Sequence, residues 1–258
     1  MHKKLNSISG MSLVEVSMAM AIFSALTIGV FSILRSTTNL QAHDITKDSL
    51  RTQAEISLNW IMEQFQDVTE DSVVRARNID GLQTADSQDF KDASFVRYKK
   101  ITSVNDNGNG VYTRSYSTKE YSIGFRIISG EYPTKINPHD NRGDGNDNNK
   151  NGLVDEGEIV FKEYDNSTVP DYLGRVVKVI CPNVMRKYDA DPSDAENLIQ
   201  GFSVSCQSDD AANPSRWMVR VSIALEKVDP TGQFLSAGSA LRRSTKVYYK
   251  TTTLALYK

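Results

Sequence analysis

Residues 147–158 read Asp147-Asn-Asn149-Lys-Asn151-Gly152-Leu153-Val154-Asp155-Glu-Gly-Glu158, and the oxygen-bearing side chains in this run are spaced like a ligand set for a hard cation. Counted from Asp147, they fall at positions 1, 3, 5 and 9, with glycine at 6, an aliphatic residue at 8 and glutamate at 12. That is the pattern of an EF-hand calcium loop. Calcium takes about six to eight oxygens. Asp147, Asn149 and Asn151 supply three, the Leu153 carbonyl a fourth, Asp155 acts directly or through water, and Glu158 closes the shell with two. Gly152 permits the sharp turn. Pro133 and Pro138 upstream and the strand-like Glu158–Tyr164 downstream predict this loop without the two flanking helices. A switch works by moving such helices, so the expectation is a structural Ca2+ that pins a long loop, with a solvated Asp/Asn/Gly connection as the alternative. Asp140-x-Arg142-x-Asp144-Gly145 has an arginine among its candidate ligands. Asn105–Gly110, with Tyr116 at its twelfth position, reads as a hairpin turn.

The second residue whose chemistry demands a reason is Glu15, a carboxylate near the front of an apolar run from Met11 to Leu34. As a helix this run of about 24 residues is roughly 36 Å long, enough to cross a hydrocarbon core of about 30 Å. Lys3 and Lys4 precede it, so the positive-inside bias puts the N-terminus in the cytoplasm and the residues after Arg35 on the far side. A cleaved signal peptide finds a small-residue site at Ala19-Met20-Ala21, but its core would then be Met11–Met18, broken by Glu15. A plain single span explains the length and the lysines and leaves Gly10 and Glu15 without a purpose.

A third reading uses every feature. The polar leader Met1–Gly10 ends in glycine and is followed by Met11-Ser-Leu-Val-Glu15-Val. This arrangement resembles the leader of type IV pilins and of the pseudopilins of type II secretion, specifically over residues 3 to about 34 and in general outline beyond. The resemblance implies that a membrane-embedded aspartyl peptidase, the prepilin peptidase, cuts after Gly10 on the cytoplasmic face and methylates the new N-terminus at Met11. It also implies that Glu15 of an incoming subunit meets the Met11 amine of its neighbour as an inner-membrane platform builds a filament. A carboxylate near the membrane edge, otherwise costing up to about 3 kcal/mol, would thereby gain a charge partner. Within one chain Met11 and Glu15 also stand four residues apart on a helix, where the dipole favours an N-terminal negative charge. The alternative is a glutamate that snorkels to the interface.

These residues must be positioned by two kinds of element. Ile45, Leu50, Ala54, Leu58, Ile61, Met62, Phe65 and Val68 recur at three- and four-residue steps, which predicts one long helix from about 11 to about 68. Its first half (11–34) is transmembrane, and its amphipathic second half (35–70) packs on the chain's own globular part. From Ala93 the period changes to two. Tyr121, Ile123, Phe125 and Ile127 alternate with polar or small residues, as do Val219, Val221, Ile223 and Leu225, and polar stretches at 104–110, 137–158, 187–196 and 207–215 separate such strands. The predicted fold class is α+β, a long N-terminal helix against an antiparallel β-sheet domain over 71–258. That is also what the pilin resemblance implies, and the ending Tyr248–Lys258 resembles the last strand of larger minor pilins.

Cys181 follows Val177 and Val179 on one strand face, and Cys206 follows Phe202 and Val204 on another. The far-side topology makes a disulfide between them the expectation, closing a loop of about 26 residues for roughly 3.5 kcal/mol, with two separate buried thiols as the alternative. His2, His43 and His139 are scattered, no Gly-x-Ser-x-Gly occurs, and no zinc set or nucleophile–base pairing can be read, so no enzyme is expected. Lys plus Arg is 30 and Asp plus Glu is 32, which leaves no basic surplus for nucleic acid. The expected partners are the membrane, the prepilin peptidase, the assembly platform and other pilin or pseudopilin subunits. The expected function is a minor pilin or minor pseudopilin. It would be single-pass in the inner membrane, with its globular part periplasmic or in an extracellular filament. A calcium-dependent adhesin that uses a pilin-type anchor is the second reading.

Overall fold

The computed structural model describes residues 12–66, 68–69, 72–78, 90–109, 112–128, 153, 156–189, 198–208, 216–228 and 244–257. Helix α1 spans Leu13–Phe65, close to the expected limits. It contains no proline, and Gly29 is its single glycine. The chain divides into two units, Met1–Ile45 and Thr46–Lys258, so the boundary falls within α1.

From Leu13 to Leu34 large apolar side chains of α1 are exposed on all sides. Leu13, Met18, Ile28 and Ile33 are exposed, and Phe23 and Phe31 are 72% exposed. A helix that is hydrophobic on all sides fits an apolar solvent, and this one is long and apolar enough to span a bilayer. Its hydroxyl residues do not spoil that fit. Ser17, Ser24, Thr27, Thr37 and Thr38 each donate to the carbonyl four residues earlier, at 2.7–2.9 Å, so no hydroxyl proton among these five is left unbonded.

The second unit begins where the pattern becomes amphipathic. Thr46, Leu50, Ala54, Ser57, Leu58, Ile61 and Phe65 are buried at three- and four-residue steps. They meet a sheet built from β1 (Val73–Arg77), β2 (Phe90–Ala93), β3 (Phe95–Asp106), β4 (Tyr112–Ile127), β5 (Gly157–Tyr164), β6 (Arg175–Val184), β9 (Phe202–Ser208), β10 (Arg216–Val228) and β11 (Ser244–Tyr257), while β7 (Lys187–Asp189) and β8 (Leu198–Gln200) form a separate pair. The sheet order is β1-β3-β4-β5-β6-β10-β9-β2, β11 also pairs with β10, and every pair is antiparallel. The α+β arrangement with a long apolar N-terminal helix is therefore present. The core joins Leu58, Ile61 and Phe65 of α1 to Val96, Tyr98, Ile123, Phe125, Ile159, Val221 and Ile223 of the sheet. Phe65 lies 5.5 Å from the Tyr98 ring, and Trp60 meets Phe161 edge-on at 5.3 Å. Each such aliphatic or aromatic burial contributes about 1.5–3 kcal/mol.

Two features of the sheet depart from simple alternation. Val184 pairs with Leu225 and Phe202 with Ile223, so β6 and β9 lie end to end along one edge of β10. The chain leaves this line after Met185, makes the β7–β8 pair, and returns at Gly201, whose N–H donates to the Arg186 carbonyl at 3.0 Å. Only glycine fits the return, because a Cβ at Gly201 would stand 1.7 Å from the Met185 oxygen. The second departure is that Ser122, expected on the wet face of β4, is buried. Gly124 is buried as well, packed so closely on Phe95 that a Cβ would sit 2.8 Å from its ring. On the face away from α1, the strip 165–173 is bonded to Arg97 of β3, to Arg75 of β1 and to Lys162 and Tyr164 of β5.

Candidate functional site

At the start of α1 the Ser12 N–H donates to Glu15 Oε2 at 2.8 Å, and the Glu15 N–H donates to Ser12 Oγ at 3.3 Å. This is a reciprocal capping box, which satisfies two of the helix's orphan donors. Glu15 thus has a local role that Ser12-x-x-Glu15 encodes and that the spacing to Met11 does not reveal. Gly10 and Met11 lie outside the described residues.

Of the expected calcium ligands, Asp147, Asn149, Asn151 and Asp155 also lie outside them. The two that are described stand where the loop enters β5. Leu153 is buried, and Glu158 pairs across the strands with Arg126. Both described bonds from Arg126, from Nε at 3.0 Å and from Nη2, land on Glu158 Oε1. No described residue bonds Oε2. Among the described residues Oε2 therefore has no partner, whereas closing a shell with both oxygens would require Arg126 to share Oε1. Among the described residues, no three His, Cys, Asp or Glu side chains converge on a common metal position.

Cys181 and Cys206 are not joined. Neither is in a disulfide, and both thiols are buried. Cys206 pairs with Val219. Cys181 lies three residues before Val184 and Cys206 four after Phe202, so the two thiols stand toward opposite ends of the line that β6 and β9 form beside β10. A disulfide needs Cα atoms within roughly 7 Å. The expected face was also wrong for the residues before Cys181. Three register irregularities against β5 break the alternation of β6, leaving Val177 51% and Val179 42% exposed while Cys181 is fully buried. Burial pushes the Cys181 thiol up to about 11, while Ser57 and Gln53 beside it pull the other way. The folded protein, isolated without reductant and treated with iodoacetamide at pH 8, should therefore leave Cys181 unlabelled, and unfolding should release two alkylatable thiols. Recovery of no free thiol after unfolding would contradict the separation of the two strands.

The most connected polar cluster is one the sequence pattern does not announce. Arg97 on β3 is 1% exposed and Glu120 on β4 is fully buried. Arg97 Nε donates to Glu120 Oε2 at 2.6 Å, Nη1 donates to Asp171 Oδ1 at 2.8 Å and to the Val169 carbonyl at 2.7 Å, and Nη2 donates to the Asn166 carbonyl at 2.9 Å. The guanidinium carbon lies 3.9 Å from the centre of the Tyr164 ring. Asp171 also accepts from Arg75 at 2.9 Å and lies 3.3 Å from Arg77, both on β1. Burial alone would raise the Asp171 pKa, but hydrogen bonds from Arg97 and Arg75 outweigh it and hold the carboxyl below its ordinary value. The Tyr164 hydroxyl bonds Ser122 Oγ at 3.0 Å and donates to the Asp171 carbonyl at 2.9 Å, and burial pushes its pKa up to about 12. Lys162 donates to the same carbonyl at 3.4 Å. Its pKa is lowered by burial and by Arg126 nearby. The bonds to Asn166, Val169 and Asp171 tie the strip to the sheet, so the cluster is a fastening.

No family model, curated protein or solved structure matches the chain.

Proposed function

We propose that the chain is a filament subunit of the pilin type, a minor pilin or minor pseudopilin. In this reading it is processed after Gly10 by a prepilin peptidase and held in the inner membrane by the first half of α1, with its sheet domain on the far side until an assembly platform moves it into a filament. The observation that carries this reading is α1 itself. It is capped one residue past the Gly10-Met11 junction, runs unbroken through an all-apolar segment, and continues into the core of a sheet domain. A removable signal peptide has no use for continuity with the core, and a plain anchor has no use for a glycine-ended leader. The loop 147–158 is proposed to hold a structural Ca2+ in the same molecule, through Asp147, Asn149, Asn151, the Leu153 carbonyl, Asp155 and Glu158.

Mass spectrometry of the protein extracted from membranes of cells containing the peptidase should give a chain that starts at Met11 with a methylated amine. An intact N-terminus there would sink the proposal. Glu15→Gln adds a second arm, because glutamine preserves the capping box while removing the charge. Processing and helix formation should persist and incorporation into filaments should fall severalfold. Equal incorporation would reduce Glu15 to a capping residue.

A further inference from the structure

Outside α1, large exposed apolar side chains are concentrated in one place. Tyr172, Leu173, Val176, Val177 and Val179 lie within eight residues, against only Val74, Val104 and Tyr112 elsewhere among the described residues. All five belong to the approach to β6 and its first half. Among the described residues that half has a neighbour on one side only. β5 pairs with it throughout, whereas β10 reaches β6 only at Val184. Its composition is also unlike an edge strand, since Val176, Val177 and Val179 are all exposed around the break in register at Val177. A strand that is apolar on both faces is the sequence of an interior position. Here it stands at a margin.

The open stretch has a defined end. At Ile180 the carbonyl accepts from Ser57 Oγ at 3.2 Å, and at Pro182 the carbonyl accepts from Gln53 Nε2 at 3.0 Å, so side chains of α1 take the place of a neighbouring strand from 180 onward. Pro182 has no N–H to offer, and Asn183 adopts a positive φ of 60°. A groove of about 490 Å³ begins at the same point, lined on α1 by Asp48, Thr52, Gln53, Ile56 and Ser57 and on β6 by Ile180. Residues 175–179 are left without a second neighbour among the described residues.

We propose that β6 takes an added strand from another protein chain over residues 175–179, and that this strand is acidic as well as apolar. The charges decide the chemistry. Arg175 and Lys178 are the cations on the open stretch, with Arg175 76% exposed at its side chain although it reaches Glu163, and Lys178 resting its ammonium 4.6 Å from the Trp60 ring. Lysine and arginine on an edge are what keep like edges apart, so a second copy of β6 would bring four cations together. An incoming strand with carboxylates opposite Arg175 and Lys178 and β-branched residues between them gains both main-chain bonds and cross-strand pairs.

The test uses the full chain in detergent micelles and two synthetic six-residue peptides of the same apolar residues, Glu-Val-Glu-Val-Thr-Val and Lys-Val-Lys-Val-Thr-Val. The acidic peptide should slow amide exchange at residues 176–179 and bind at least tenfold more tightly than the basic one, and backbone N-methylation of the acidic peptide should abolish both effects. Lys178→Glu, at an exposed site that leaves the core untouched, should narrow or reverse the preference. Equal protection by both peptides, protection that maps away from β6, no protection at all, or peptide-independent dimerisation through β6 would each overturn the proposal.

Discussion

Arg97→Met should lower the unfolding free energy by about 3–5 kcal/mol, because it leaves the buried Glu120 carboxylate without its 2.6 Å partner and with only the partly exposed Lys99 ammonium, 3.6 Å from its other oxygen. For a domain of this size that is a drop in melting temperature on the order of 10 °C. The loss has a second part. Arg97 also holds the carbonyls of Asn166 and Val169 and the carboxylate of Asp171, so the strip 165–173 should detach and become the first site of limited proteolysis. Replacing both partners, as Arg97→Met with Glu120→Leu, should cost less than the sum of the single changes, because no charge is then stranded. A double-mutant cycle by thermal unfolding of the full chain in detergent checks this, and a cost below about 1 kcal/mol for Arg97→Met would refute it. The same cluster sets an acid limit. Asp171 has a folded pKa below its unfolded value of about 3.9, so its contribution is complete above that pH. It disappears as the pH falls through the lowered folded value.

Millimolar calcium should raise the melting temperature of the sheet domain relative to chelator, by up to the equivalent of about 2.7 kcal/mol at a hundredfold excess over Kd, because an ion bound only by the folded state stabilises it by mass action. Magnesium should substitute poorly, since the loop offers many flexible oxygens rather than a tight octahedron. Asp147→Ala and Glu158→Gln should each remove most of the shift. The baseline of Glu158→Gln needs its own measurement in chelator, because this change also takes the charge partner from Arg126. The quantity to compare is therefore the calcium-induced shift. If wild type and both variants melt alike with and without calcium, the loop holds no ion.

The helix was legible because its evidence is local. Leu50, Ala54, Leu58, Ile61 and Phe65 repeat at the helical period, and burial follows that period. The capping box was equally local in Ser12 and Glu15, but the charge of Glu15 drew attention to a partner outside the chain. Alternation placed Ile123, Phe125, Val221 and Ile223 in the core correctly. It failed in β6, where three irregularities against β5 leave Val177 and Val179 exposed while Cys181 and Val184 enter the core. A bulge shifts every side chain after it to the other face, and nothing in a run of valines marks where it falls. Arg97 was invisible for another reason. Between Val96 and Tyr98 it reads as the wet position of an alternating strand, and the strip that covers it comes from about 70 residues later, as the bond to Val169 shows.

The end-to-end placement of β6 and β9 has a kinetic consequence. Strands β3 to β6 are successive neighbours and can zip together as each emerges, by closures that are short in sequence. The pairing of Phe90 in β2 with Cys206 in β9 must instead wait for more than a hundred intervening residues, because β9 takes its place only after the β7–β8 excursion is complete. Closing so long a loop is entropically costly and slow relative to hairpin formation. β2 runs straight into β3 with only Ser94 between them, so one end of a continuous segment is ordered early and the other late. The slowest folding phase should therefore report on Phe90–Ala93 reaching β9, while amides of β3 and β4 gain protection from exchange before it.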